Sequence, residues 1–181
     1  MKNSIAVSKR FMVSSAVVLC LMTGALASAQ AQTNKMRIGV YDSRAVAAAY
    51  ANSTEFQETL KAVRADYEKA KEAKDEKRMK EINSRMELQQ RWVHEQVFST
   101  GSVAGIVAKI KAALPGVAKK AGVQAIVSKW ELTYQGPDVE VVDVTENLAT
   151  LFPVSDEARK QGRDWRGILK HAPVPMEEAT D

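Results

Sequence analysis

From Asn52 to about Leu114 the chain contains no proline and is rich in Ala, Glu, Lys and Gln, the composition of long helices. No other feature limits the fold as strongly. The apolar residues in this stretch are periodic: Phe56, Leu60, Val63, Tyr67 and Ala70 follow a 4-3-4-3 spacing, which lays a stripe along one side of a coiled-coil helix. That stripe stops at Lys74 and Lys77. A second one runs through Ile82, Met86, Gln89, Val93, Gln96 and Thr100 and on to Val103, Val107, Ile110, Leu114 and Val117. The two are out of phase, because prolonging the first selects Glu81, Ser84, Leu88, Arg91 and Glu95, which are mostly polar. One straight coiled coil therefore does not hold both halves. Either the chain turns back in a hairpin whose tip lies between Ala73 and Ile82, or a single helix carries a stutter there. Arms of roughly 25 residues would reach about 35 to 40 Å, and the hairpin has the merit of zipping one stripe against the other. Gly101, Gly105 and Leu114-Pro115-Gly116 interrupt the returning arm, so a kink is expected near its base.

The flanks read differently. Met36 to Tyr41 alternates and is rich in strand formers, and Asp42-Ser43 ends it as a turn. Residues 44–51 are Ala-rich and suit a short helix, and Asn52-Ser53-Thr54 with Glu55 supplies caps for the next one. After the arm, Val117 to Ala121 reads as a last helical turn or two, with Pro115 at its start and Gly122 past its end. Val123 to Ser128 and Trp130 to Tyr134 read as two strands before the turn Gln135-Gly136-Pro137-Asp138, and Val139 to Val142 as a brief third. Asp143 and Glu146 can cap a short helix ending at Leu151. Beyond Pro153 one marginal helix over 156–169 and then disorder are expected. The reading is thus α+β: a small β-sheet body (36–52 and 106–152), a long α-helical coiled-coil hairpin arm (53–105) and a partly disordered tail (153–181).

The first 31 residues have the parts of a cleavable secretory signal peptide: basic Lys2, Lys9 and Arg10, an apolar run from Phe11 to Met22, and small-x-small sites before Gln30 and before Gln32. The apolar run holds Ser14 and Ser15 and is shorter than the ~20 residues a spanning helix needs. A periplasmic location is therefore expected. Cys20, the sole cysteine, lies inside this segment, so a cleaved chain has neither disulfides nor thiolate metal sites. Cleavage also leaves 23 basic against 22 acidic residues, a near-neutral balance that argues against nucleic-acid binding.

So few strands do not make an independently stable sheet, and a two-helix arm has little core of its own. Three or more copies closing their strands into one shared core would solve both problems. Two segments carry a resemblance to a known family: Arg37-Ile-Gly-Val-Tyr-Asp42-Ser43, and Gly122-Val-Gln-Ala-Ile-Val-Ser128 through Leu132-Thr-Tyr134, Asp138-Val139 and Asp143-Val-Thr145. Over about Met36 to Leu151 the chain resembles the Skp/OmpH-like periplasmic chaperones. The resemblance implies a homotrimer with a β-barrel body and helical-hairpin arms around a client cavity. It implies an ATP-independent holdase for unfolded outer-membrane proteins, with no cofactor and no catalytic group. The near-neutral charge, the short arms and Pro115 depart from that family and bear on lipopolysaccharide contact and cavity size. An envelope structural or adaptor protein, using the arm as a spacer to one fixed partner, is the rival expectation.

A holdase needs an adaptable apolar surface with weak, multiple contacts. Met79, Met86, Trp92, Val97 and Phe98 lie on or beside the arm stripes and are the client-contact candidates; the alternative is that they simply zip the hairpin, which suits Met86 better than a client contact and suits Trp92 and Phe98, off the seam, about as well. Lys74, Lys77, Arg78 and Lys80 form a charged tip that could meet anionic clients or, transiently, a membrane surface; interspersed acids also make it an ordinary solvated helix face. His94 and His171 are the only histidines and fall in no metal-ligand or nucleophile motif, so neither a metal site nor enzymatic chemistry is expected.

Overall fold

The structure, a computed structural model, describes residues 35–179; the expected signal peptide lies outside them. Three strands, β1 (Met36–Tyr41), β2 (Ala125–Ser128) and β3 (Val139–Asp143), form a sheet in the order β2-β1-β3, with both outer strands parallel to β1. Among the described residues seven helices accompany them: α1 (Ser43–Ala51), α2 (Thr54–Glu72), α3 (Glu76–Phe98), α4 (Ala104–Lys109), α5 (Leu114–Ala121), α6 (Thr145–Ala149) and α7 (Asp156–Lys160). Short 3-10 segments lie at Lys111–Ala113 and Trp165–Lys170. The fold is α+β.

Register is set by β1, whose Ile38 to Tyr41 pair with Ala125 to Ser128 on one side and whose Met36 to Val40 pair with Val139 to Asp143 on the other. Gly39 allows this close packing, since a Cβ there would stand 3.2 Å from methyls of Val123 and Val144. Arg37 ties the layers together. Its guanidinium donates to the carbonyls of Ala121 and Gly122 at 3.1 Å and to Glu140 at 3.0 Å, so it caps α5 and anchors β3. Gly122, at φ 65°, closes α5 in the left-handed conformation that glycine adopts without penalty.

The segment Trp130–Tyr134 is not a strand. Ser128 turns the chain instead: its Oγ accepts from Trp130 N at 3.3 Å and its carbonyl from Glu131 N at 3.1 Å. The turn takes Trp130 out of line with β2, and the next strand, β3, pairs with β1 in parallel.

At the centre stands α1, in which Ser43 to Ala49 are all buried. It packs against α3, α6 and the Trp165–Lys170 segment, and small alanine side chains permit that close approach on every side. Val46, Val144 and Leu148 are wholly enclosed. Tyr50 adds edge-on contacts to Phe56 and Phe152, with ring centroids 5.3 and 5.6 Å apart.

The long coiled-coil hairpin arm over 53–105 is not present. In its place α2 and α3, of 19 and 23 residues, pack against each other after a break at Ala73–Asp75. Only Phe56, Val63 and Ala70 of α2 and Ile82 and Val97 of α3 are buried. The reason lies in the second stripe, where Gln89 and Gln96 stand at seam positions and cannot form a continuous dry interface. Nor does the arm run on to residue 105. Gly101 N donates to Glu95 O at 3.2 Å and folds the chain back, leaving α4 as a separate short helix.

The tail is tied down over much of its length. Ser155 N donates to Asn52 O and Thr54 N to Pro153 O, both at 2.9 Å, and Ser53 forms an antiparallel bridge with Val154. Trp165 is buried in the core with Ile168 beside it, Arg44 Nη1 donates to His171 O at 2.8 Å, and Val174 N donates to Phe98 O at 2.9 Å. The marginal helix expected over 156–169 is divided in two by Gly162, at φ 64°.

Candidate functional site

Ser53 starts α2 by accepting from Phe56 N at 3.3 Å, and this cap aims Phe56 at the body. At its far end α2 stops at Ala73, Lys74 takes φ 53°, and Asp75 starts α3 by accepting from Arg78 N at 2.9 Å. The polarity reversal therefore uses an aspartate cap and a strained lysine, with no glycine or proline. The chain then returns along α3 to the body.

Where α3 passes the start of α2, two shallow apolar grooves adjoin. One, of about 220 Å³, is lined by Phe56, Leu60, Met86, Gln89, Val93 and His94, among others. The second, of about 260 Å³, shares Phe56, Gln89 and Val93 and adds Tyr50, Trp92 and Val97. Beside them Leu88 and Trp92, four residues apart and so on one face of α3, are 43% and 57% exposed. Lys109 closes the neighbouring edge: its Nζ lies 2.6 Å from Glu55 Oε1 and 5.4 Å above the Tyr50 ring. The hydrogen bond to Glu55, with help from Tyr50, raises its pKa, so it is cationic at neutral pH.

The structure brings together three of the five client-contact candidates. Met86 is half-buried in the first groove, Trp92 stands exposed at the second, and Val97, which lines the second, is buried in the body core. Val97 accordingly acts as packing more than as free surface. Met79 lines neither groove, and Phe98, 47% exposed, is turned against His94 with ring centroids 5.6 Å apart. Leu88 is the residue that the stripe argument passed over, and its signal was the four-residue spacing to Trp92.

At the tip Lys74, Lys77, Arg78 and Lys80 are all exposed. Arg78 pairs with Glu81 at 3.4 Å; Lys74, Lys77 and Lys80 make no ion pair among the described residues. Nearby pairs one helical turn apart, Lys69 with Asp66 and Lys71 with Glu68, neutralise part of the charge. No group of His, Cys, Asp and Glu able to hold a metal ion occurs among the described residues, and no helix there is long and apolar enough to cross a membrane.

Compared with known proteins, the chain matches no family model, no curated protein and no solved structure.

Proposed function

We propose that the chain is an ATP-independent holdase of the Skp/OmpH-like kind, secreted to the periplasm, which shields unfolded outer-membrane proteins. The observation that carries this reading is the exposed apolar face of α3, Leu88 and Trp92, beside the two grooves that Met86 and Val93 help to line. Shallow, adjoining apolar surfaces suit weak contacts with many sequences better than tight capture of one ligand. Mechanistically, an extended client lies along α3, its apolar side chains enter the grooves in turn, and its aggregation-prone segments are kept apart. No bond is made or broken, and neither nucleotide nor cofactor takes part.

Assembly belongs to the same proposal. The outer edges of β2 and β3 have no strand partner among the described residues, and an exposed strand edge is a template for pairing with another chain. Three copies joined through these edges into a common barrel would cover them and set three helix pairs around one client. Contact of the lysine-bearing tips with a membrane surface would be transient and weak.

Light scattering on the purified mature protein, alone and with an unfolded outer-membrane protein, tests both parts. A trimer that takes up one client, keeps it soluble and also suppresses aggregation of an unrelated soluble protein is the expected outcome. Replacing Leu88 and Trp92 together by serine is expected to weaken that suppression severalfold while leaving the mass unchanged. A monomer or dimer that ignores unfolded chains would overturn the proposal in favour of an envelope adaptor with one fixed partner.

A further inference from the structure

Apart from the two grooves, a cavity of about 440 Å³ lies at the carboxyl ends of β1 and β2, whose last paired residues, Tyr41 and Ser128, both line it. That volume is within the range of small-molecule sites, and ligands of open parallel sheets sit outside the carboxyl ends of the strands. Val103, Val107 and Leu114 supply an apolar wall. The polar side chains on the cavity are Tyr41, Lys111 and Glu131, together with several small hydroxyls.

Their partnering points to a ligand. Tyr41 is 9% exposed overall, but its hydroxyl is not enclosed, and it makes no hydrogen bond among the described residues, so it is free to meet a ligand. Its burial, and then the charge of Glu131, raises its pKa, so it stays a neutral phenol able to donate. Lys111 and Glu131 line the same cavity with opposite charges, and neither makes an ion pair with the other or with any described residue. A simple anion would meet Lys111 but face the Glu131 carboxylate. A simple cation would meet Glu131 but face Lys111, and Trp130, the aromatic ring on this wall, already has Lys129 4.4 Å and Arg44 5.1 Å from its centroid. A ligand carrying both charges has neither conflict.

We propose that this cavity binds a free amino acid with an apolar side chain: its ammonium meets Glu131, its carboxylate meets Lys111 and the Tyr41 hydroxyl, and its side chain lies on Val103, Val107 and Leu114. The site is independent of the client-binding reading, since it shares no residue with the two grooves.

Titration of the mature protein with L-leucine, followed by calorimetry and by ligand-observed NMR, tests it, with isocaproate and isoamylamine as analogues lacking the ammonium and the carboxylate. Saturable binding of L-leucine is expected, about tenfold weaker in Glu131→Gln and in Lys111→Gln, because each removes one charged hydrogen bond. Glu131→Gln should leave isocaproate binding unchanged, and Lys111→Gln should do the same for isoamylamine. Both side chains are exposed, so circular dichroism should show both variants folded. No binding of L-leucine to the unaltered protein would overturn the proposal. So would equal affinity for L-leucine and both analogues, which would mark the cavity as a plain apolar recess.

Discussion

The sheet-and-α1 body and the α2/α3 pair bury their residues in opposite ways. In α1 seven consecutive residues, Ser43 to Ala49, are buried, whereas the 42 residues of α2 and α3 bury five. Enclosure on all sides lets the body use alanine and valine, and its stability comes from contact density. The pair keeps a thin apolar line and leaves Leu88 and Trp92 in water, so its side chains are available for recognition. The largest test of this contrast is a pair of truncations. Leu148→Ala, at a wholly enclosed position, is expected to cost about 3 kcal/mol of unfolding free energy, and Met86→Ala under about 1 kcal/mol. Urea titrations of both variants measure it, and equal losses would erase the distinction.

Electrostatics divide along the same line. Asp42 is 1% exposed and holds Arg44 at 2.9 Å and Lys129 at 2.8 Å. Burial pushes its carboxyl pKa up, but the hydrogen bonds from Arg44 and Lys129 outweigh that and hold it at about 2, below the ordinary 3.8. A folded-state value below the unfolded one stabilises the protein fully above the unfolded pKa, and that contribution is lost as pH falls from the unfolded value through the folded one. Unfolding free energy is therefore expected to drop by about 2 kcal/mol between roughly pH 5 and pH 1 from this group alone. Asp42→Asn should be less stable at neutral pH and lack that part of the acid dependence; urea titrations across the window would show it. The exposed pairs Lys69–Asp66 and Lys71–Glu68 on α2 contribute little, and salt screens them.

How far each region was legible follows from where its signals reside. β1 was readable to the residue because its alternation is a local feature, although the Asp42-Ser43 turn expected after it is instead the cap and first residue of α1, and α5 was readable because Pro115 and Gly122 bracket it. The loop at Trp130–Tyr134 has strand composition, but the hydroxyl of Ser128 and the indole contact of Trp130 Nε1 with Asp42, at 3.4 Å, take it elsewhere. Tertiary context overrides propensity there. The tail was opaque for a similar reason: Trp165 and Ile168 show no amphipathic helix of useful length, and only the finished α1 surface gives them a place to pack. In the candidate site, Met86 and Trp92 were legible from the stripes, whereas the grooves depend on how α2 meets α3 and on Tyr50. The Tyr41 cavity gathers residues from three separate stretches of chain, 41–43, 100–114 and 128–131, so no local pattern announces it.

Strain is also present in both regions, with smaller effects. In the body, Ser43 Oγ is buried without a hydrogen-bond partner, and an unmet buried hydroxyl costs about 1 to 3 kcal/mol. Ser43→Ala removes that penalty together with a little packing, and is expected to stabilise the protein by about 1 kcal/mol in urea titration. A loss of stability would mean that the hydroxyl has a partner after all.

In the pair, the strain is at the tip, where Lys74 holds φ 53°. A non-glycine residue in that conformation costs roughly 1 kcal/mol, and glycine returns part of the gain through a freer unfolded chain. Lys74→Gly is therefore expected to stabilise the turn by about 0.5 kcal/mol. The gain should be local. The turn is held by backbone hydrogen bonds such as Asp75 N to Ala70 O, at 2.9 Å, and the surrounding residues are exposed, so the tip can open without the body unfolding. Hydrogen exchange should show slower opening at Ala73 and Asp75 and no change in the urea midpoint. If the midpoint rises by the full amount instead, the tip opens only when the whole molecule does. The pair would then be part of one cooperative unit with the body, and recognition and stability would not be separated as the burial pattern indicates.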